Sequence, residues 1–117
     1  MQIPLLVLSL ILAAVFAALA VPKVTGQSQM RERMAHLAVS VGLTKAIGTL
    51  EGAAAIGLIV GLFWAPAGIA AAVGLTLQMI GATVYHLRAK DPMAVASMPL
   101  VFGLASAALA VLHLLNG

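Results

Sequence analysis

The sequence predicts an all-α fold: a polytopic transmembrane four-helix bundle with a short interfacial helix after the first span. Three observations predict it. The chain is 63% hydrophobic and only 8% charged, with a mean hydropathy of +1.16, which no ordinary soluble domain shows. Apolar runs long enough to cross a bilayer recur at about 3–21, 41–63, 67–87 and 95–115. The lysines and arginines lie at or near the ends of those runs. The spans take up most of the 117 residues, so the expectation is one integral membrane domain, 1–117.

The first span is expected to stop at Val21-Pro22-Lys23, where proline breaks the helix and lysine marks the headgroup region. Ala18-Leu19-Ala20 has the small-x-small form of a signal-peptidase site. The stretch before it lacks a basic leader and is long for a signal, so a retained transmembrane helix is the expectation. Thr25 to Ser28 reads as a polar turn, with Ser28 a candidate N-cap. In 29–41, Met30, Met34, Leu37 and Val41 recur at helical spacing, away from Arg31, Glu32 and Arg33. That pattern fits a short helix in the interface; a plain connector is the alternative. The second and third spans are joined by Trp64-Ala65-Pro66-Ala67-Gly68, an uncharged turn with the single tryptophan. The last connection, Arg88-Ala89-Lys90-Asp91-Pro92, is short and charged.

Composition removes several function classes. With no cysteine there is no disulfide, thiolate nucleophile or Cys-ligated metal. His36, His86 and His113 fall in separate segments, without metal-ligand spacing or that of paired haem ligands. Basic residues are not interleaved with aromatics, so no nucleic-acid surface is expected, and no catalytic nucleophile–base pair or phosphate loop appears. The six Lys and Arg side chains cluster on the first and third connections, leaving the Trp64 turn and both tails without any. The positive-inside rule then puts 22–42 and 88–93 in the cytoplasm and both termini outside.

Polar residues inside the spans carry the functional interest. Glu51 lies well within the second run, where a carboxylate costs about 2.5–3.5 kcal/mol to insert and should face protein or water. Counting outward from the Trp64 turn sets Glu51 and Gln78 at one depth, since each helix rises about 1.5 Å per residue. Gly48 and Gly52 flank Glu51, and Gly74 and Gly81 flank Gln78; small residues let helices approach closely, so these four are expected to line the contact between second and third spans. The functional reading makes Glu51 a proton or substrate site. The structural reading is a protonated carboxyl pinned to Gln78, holding two helices in register. A second polar layer, Lys45, Tyr85, His86 and Arg88, is expected at the cytoplasmic end, either as a headgroup girdle or as a binding site. Ser9, Thr49, Thr76 and Thr83 read as ordinary intrahelical hydroxyls.

Gly42-Leu43, Gly48-x-x-Glu51-Gly52, Ile56-Gly57-Leu58 and above all Gly81-Ala82-x-x-Tyr85-His86-Leu87-Arg88-Ala89-Lys90-Asp91 carry a resemblance. Over 42–91, and in overall length and layout, the chain resembles the DoxX-like family of small bacterial membrane proteins. The resemblance implies a four-helix protein of the bacterial inner membrane, tied by its name to quinol oxidase and thiosulfate:quinone systems. Other members are linked to oxidative-stress and thiol-redox assemblies. Two function classes follow. One is an accessory or assembly subunit, without catalytic activity alone, that contacts the bilayer and forms a homo-oligomer or larger complex near quinone chemistry. The other is a small proton-coupled exporter, or a quinone- or lipid-binding subunit, built on Glu51. An exporter of this size would be expected to carry its glutamate in the first helix and to use membrane aromatics, here only 4% of the chain. The residues show no cofactor motif; quinone is the one the resemblance raises.

Overall fold

The computed structural model describes residues 3–116, folded into helices α1 (Ile3–Thr25), α2 (Ser28–His36), α3 (Val41–Val60), α4 (Ala65–Arg88) and α5 (Met93–Asn116), with no strand among them. All but α2 are long and apolar enough to cross a membrane, and their order matches the four predicted spans. The longest dimension of the molecule is 41 Å, about the thickness of a bilayer with its headgroups. Large apolar side chains such as Leu10, Leu50, Ile56, Leu77 and Leu104 point outward along the bundle, as lipid contact requires.

Helix ends account for most departures from the predicted boundaries. The first helix does not stop at Pro22: it carries the proline inside and continues to Thr25. What ends it is Gly26, whose φ of 70° turns the chain left-handed while the Gln27 amide reaches back to the Pro22 carbonyl at 3.1 Å. The same closure recurs at Ala38 (φ 63°), with Val39 N–H to Met34 C=O at 2.8 Å, and at Lys90 (φ 59°), with Asp91 N–H to His86 C=O at 3.1 Å. Ser28 is not a cap but the first residue of α2, behind Gln27. Ser40 caps α3 instead, its hydroxyl accepting from the Leu43 amide at 3.1 Å. At the far end α3 stops at Val60, three residues before the predicted limit. Gly61 and Gly68 bring their backbones into direct contact there, which lets α4 start directly after Trp64 with Pro66 in its first turn.

The bundle is two tight pairs, α1 with α3 and α4 with α5, joined along α3 and α4 and closed more loosely between α1 and α5. Leu12, Phe16, Leu58, Leu75 and Leu109 fill the centre, each at most 1% exposed. Phe16 meets Phe102 edge-to-face at 6.2 Å, tying α1 to α5. Beneath the other end, α2 folds back so that Met30, Met34 and Val39 form a small second core with Leu37, Ile47 and Tyr85.

The packing glycines sort differently from their prediction. Gly48 and Gly52 do face a neighbouring helix, but it is α1: a methyl on Gly48 would sit 2.6 Å from the Lys23 Cβ, and one on Gly52 would sit 3.7 Å from the Ala20 Cβ. Gly74 and Gly81 have nothing within 4 Å in the direction a side chain would take. The contact between α3 and α4 is made nearer the turn by Gly57 against Ala71 and by Gly61 against Gly68.

Candidate functional site

Between the two helix pairs, at the end where α2 and the α4–α5 connection lie, the bundle holds a half-open cavity of about 650 Å³. Its wall is mostly apolar, with Leu19, Ile47, Met79, Met98 and Phe102 contributed by all four long helices. The polar side chains on it are Lys23, Arg33, Glu51, Gln78, Tyr85 and His86. A concave, largely apolar space of this size with a few converging polar groups is the common form of a small-molecule site.

Glu51 is fully buried, and its partner is Lys23 rather than Gln78: the ammonium donates to Oε1 in an ion pair. The extra turn of α1 past Pro22 makes this possible, because it keeps Lys23 in the helix and lays it over α3. Gly48, one turn from Glu51, gives the lysine stem its room. Paired charges are the form in which a buried carboxylate is tolerated. Gln78 lies beside the carboxylate on the same wall, although neither Gln78 Nε2 nor Glu51 Oε2 meets the geometry of a full hydrogen bond. Gln78 is thus beside Glu51, as equal depth implied, and the structure adds Lys23 as the carboxylate's ion-pair partner.

The second polar layer divides. Tyr85 and His86 line the cavity, whereas Lys45 and Arg88 are exposed and stand off its wall. His86 Nδ1 and His36 Nε2 each bond one oxygen of Asp91 at 2.6 Å. These two histidines, His86 first, hold the Asp91 carboxyl below its ordinary pKa. The cluster ties α2 to the α4–α5 connection, so the two charged connections occupy one end of the bundle. Lys23, Arg33, His36 and Asp91 were not anticipated as site residues. The signal that would have found Lys23 is the unpaired charge of Glu51, which demands a cation at its depth.

His113, in the last turn of α5, is 2% exposed and packs on Gly68, its Nε2 without a hydrogen-bond partner. Thr49, Thr76 and Thr83 bond the carbonyl four residues back, as expected, while the Ser9 hydroxyl is buried without a partner. No group of three or more acidic, His or Cys side chains among the described residues could hold a metal ion.

Comparison with known proteins gives one match. Neither the curated proteins nor the solved structures include a significant match to the chain. The DoxX-like family profile aligns with residues 7–109, reaching from within the first span to within the fourth and taking in every polar residue of the cavity. The chain is therefore a multi-pass membrane protein and belongs to the DoxX-like family.

Proposed function

We propose that this chain is a small accessory subunit of a bacterial inner-membrane assembly, and that its part there is to hold a lipid-soluble amphiphile of the quinone or lipid class. The observation that carries the reading is the cavity itself. It opens between membrane-spanning helices, is walled mainly by apolar side chains, and gathers Glu51, Gln78, Tyr85 and His86 in one place. A ligand arriving from the bilayer would leave its apolar part among Met79, Met98 and Phe102 and present its polar end to the charged end of the bundle. With Glu51 already neutralised by Lys23, the wall binds rather than turns over its guest. Partner proteins are read from the outward apolar faces of the helices, which offer surface for association within the membrane as well as for lipid.

Extraction from native membranes in lipid nanodiscs, followed by mass spectrometry of the co-purifying proteins and small molecules, tests this reading. The expected result is one amphiphile enriched over the surrounding lipid, together with at least one partner protein. Ala82→Phe, which narrows the cavity from the α4 side, should abolish the enrichment while the helical circular dichroism is retained. Lipid identical to the bulk membrane in both samples would reject it.

A further inference from the structure

The charges on the cavity wall do not cancel. Glu51 is matched by Lys23, and Asp91 lies behind His86 rather than on the wall, leaving Arg33 as the uncompensated charge. Arg33 stands on α2 at the mouth, exposed, and forms no ion pair among the described residues. Its neighbours Met30 and Met34 are buried, so the helix that carries it is anchored against the bundle rather than free. Tyr85, also on the wall, packs against the same Met30–Met34 cluster that carries Arg33, and its hydroxyl makes no hydrogen bond among the described residues. Past these two donors the wall turns apolar, running by Met98 and Pro99 to Phe102.

We infer that the occupant is a single-chain amphiphile with an anionic carboxylate head, bound head-out, with the carboxylate on Arg33 and Tyr85 and the chain lying toward Phe102. A guanidinium takes a carboxylate through two parallel hydrogen bonds, and a phenol hydroxyl can donate a third. A volume of about 650 Å³ suits one drug-sized guest and is small for a whole two-chain lipid. A neutral head such as a quinone ring would accept a hydrogen bond from Arg33 without the charge pairing that a carboxylate adds. The inference rests on the cavity being a binding site, and it narrows the class of what binds.

Two photoactivatable twelve-carbon probes, one ending in a carboxylate and one in an alcohol, separate the head-group preference from the cavity reading. Each is titrated into the protein in phosphatidylcholine nanodiscs, irradiated, and mapped by peptide mass spectrometry. The carboxylate should label the 94–102 segment saturably, at a half-saturating concentration about tenfold or more below that of the alcohol. Arg33→Gln should erase that difference, while Arg31→Gln, on the same helix but off the wall, should keep it. Labelling by the carboxylate should persist in nanodiscs that also contain phosphatidylglycerol. Equal affinities for the two probes, or a difference that survives Arg33→Gln, would overturn the head-group assignment and leave the cavity reading standing. Loss of labelling in phosphatidylglycerol would make the bilayer lipid the occupant and overturn the single-chain assignment. Failure of both probes to label the cavity would overturn the inference together with the reading beneath it.

Discussion

Lys23 and Glu51 show how much a single side chain depends on its partner inside the membrane. Glu51 is fully buried and Lys23 is 13% exposed, so removing the lysine leaves an uncompensated charge in a low-dielectric interior. Lys23→Met should therefore lower stability by about 3–5 kcal/mol, whereas Lys23→Met with Glu51→Met should return it close to the parent value. Thermal melts in one detergent check both, and a double variant as weak as the single one would contradict the pairing. Asp91 offers a second residue-scale test. Its carboxyl pKa is depressed by hydrogen bonds from His86 and His36, so its contribution is full above the ordinary carboxylate value. It is lost as pH falls through the lower, folded value. Because the chain has no cysteine, spin labels on Gln29→Cys and Ala89→Cys can follow the α2–loop distance. That distance should broaden below about pH 4, and Asp91→Asn should show the broadened distribution already at neutral pH. Neither pair was legible in the sequence. Lys23 was hidden because Pro22 reads as a helix end. Asp91 is 55 residues from His36, and only the fold brings them together.

At the scale of the helix, the span positions were legible because about 20 apolar residues have few alternatives in a bilayer. The ends were not. A proline inside a membrane helix is tolerated when its neighbours accommodate the freed carbonyl, and here the stop moves on to a left-handed Gly26. The same chemistry makes Lys90 a strained position, since a side chain at a φ of 59° is disfavoured relative to glycine. Lys90→Gly should raise stability by roughly 0.5–1 kcal/mol, and a lower melting temperature would count against the assigned helix end. Small residues, likewise, mark close approach without naming the partner. Gly48 was legible as a packing residue, but the helix it meets is α1. Gly48→Ala should cost about 1–3 kcal/mol, because the new methyl collides with the stem of Lys23. Gly74→Ala, which meets nothing, should gain up to about 1 kcal/mol from helix propensity. If the two alanine variants melt alike, the α1–α3 contact is misplaced.

For the whole molecule, the charge asymmetry read from the sequence has a structural counterpart: both basic connections share one end, joined through His36, Asp91 and His86. If that end is cytoplasmic, Ser28→Cys should resist a membrane-impermeant thiol reagent on intact cells while Phe63→Cys, at the opposite end and 88% exposed as phenylalanine, reacts. The reverse labelling would invert the proposed orientation. The cavity was only half legible. Depth counting set Glu51 level with Gln78 and put Tyr85 and His86 in a separate layer at the end of the bundle, but a void depends on how helix pairs splay apart, which no residue pattern specifies. Its occupation is the central claim, and an indole placed on its wall tests it most directly. With Trp64→Phe removing the native indole and Phe102→Trp installing one in the cavity, brominated dodecanoate is titrated into the protein in phosphatidylcholine nanodiscs. The account predicts fluorescence quenching that saturates at one site and is abolished by Ala82→Phe; quenching that rises linearly with lipid concentration, alike in both proteins, would contradict it.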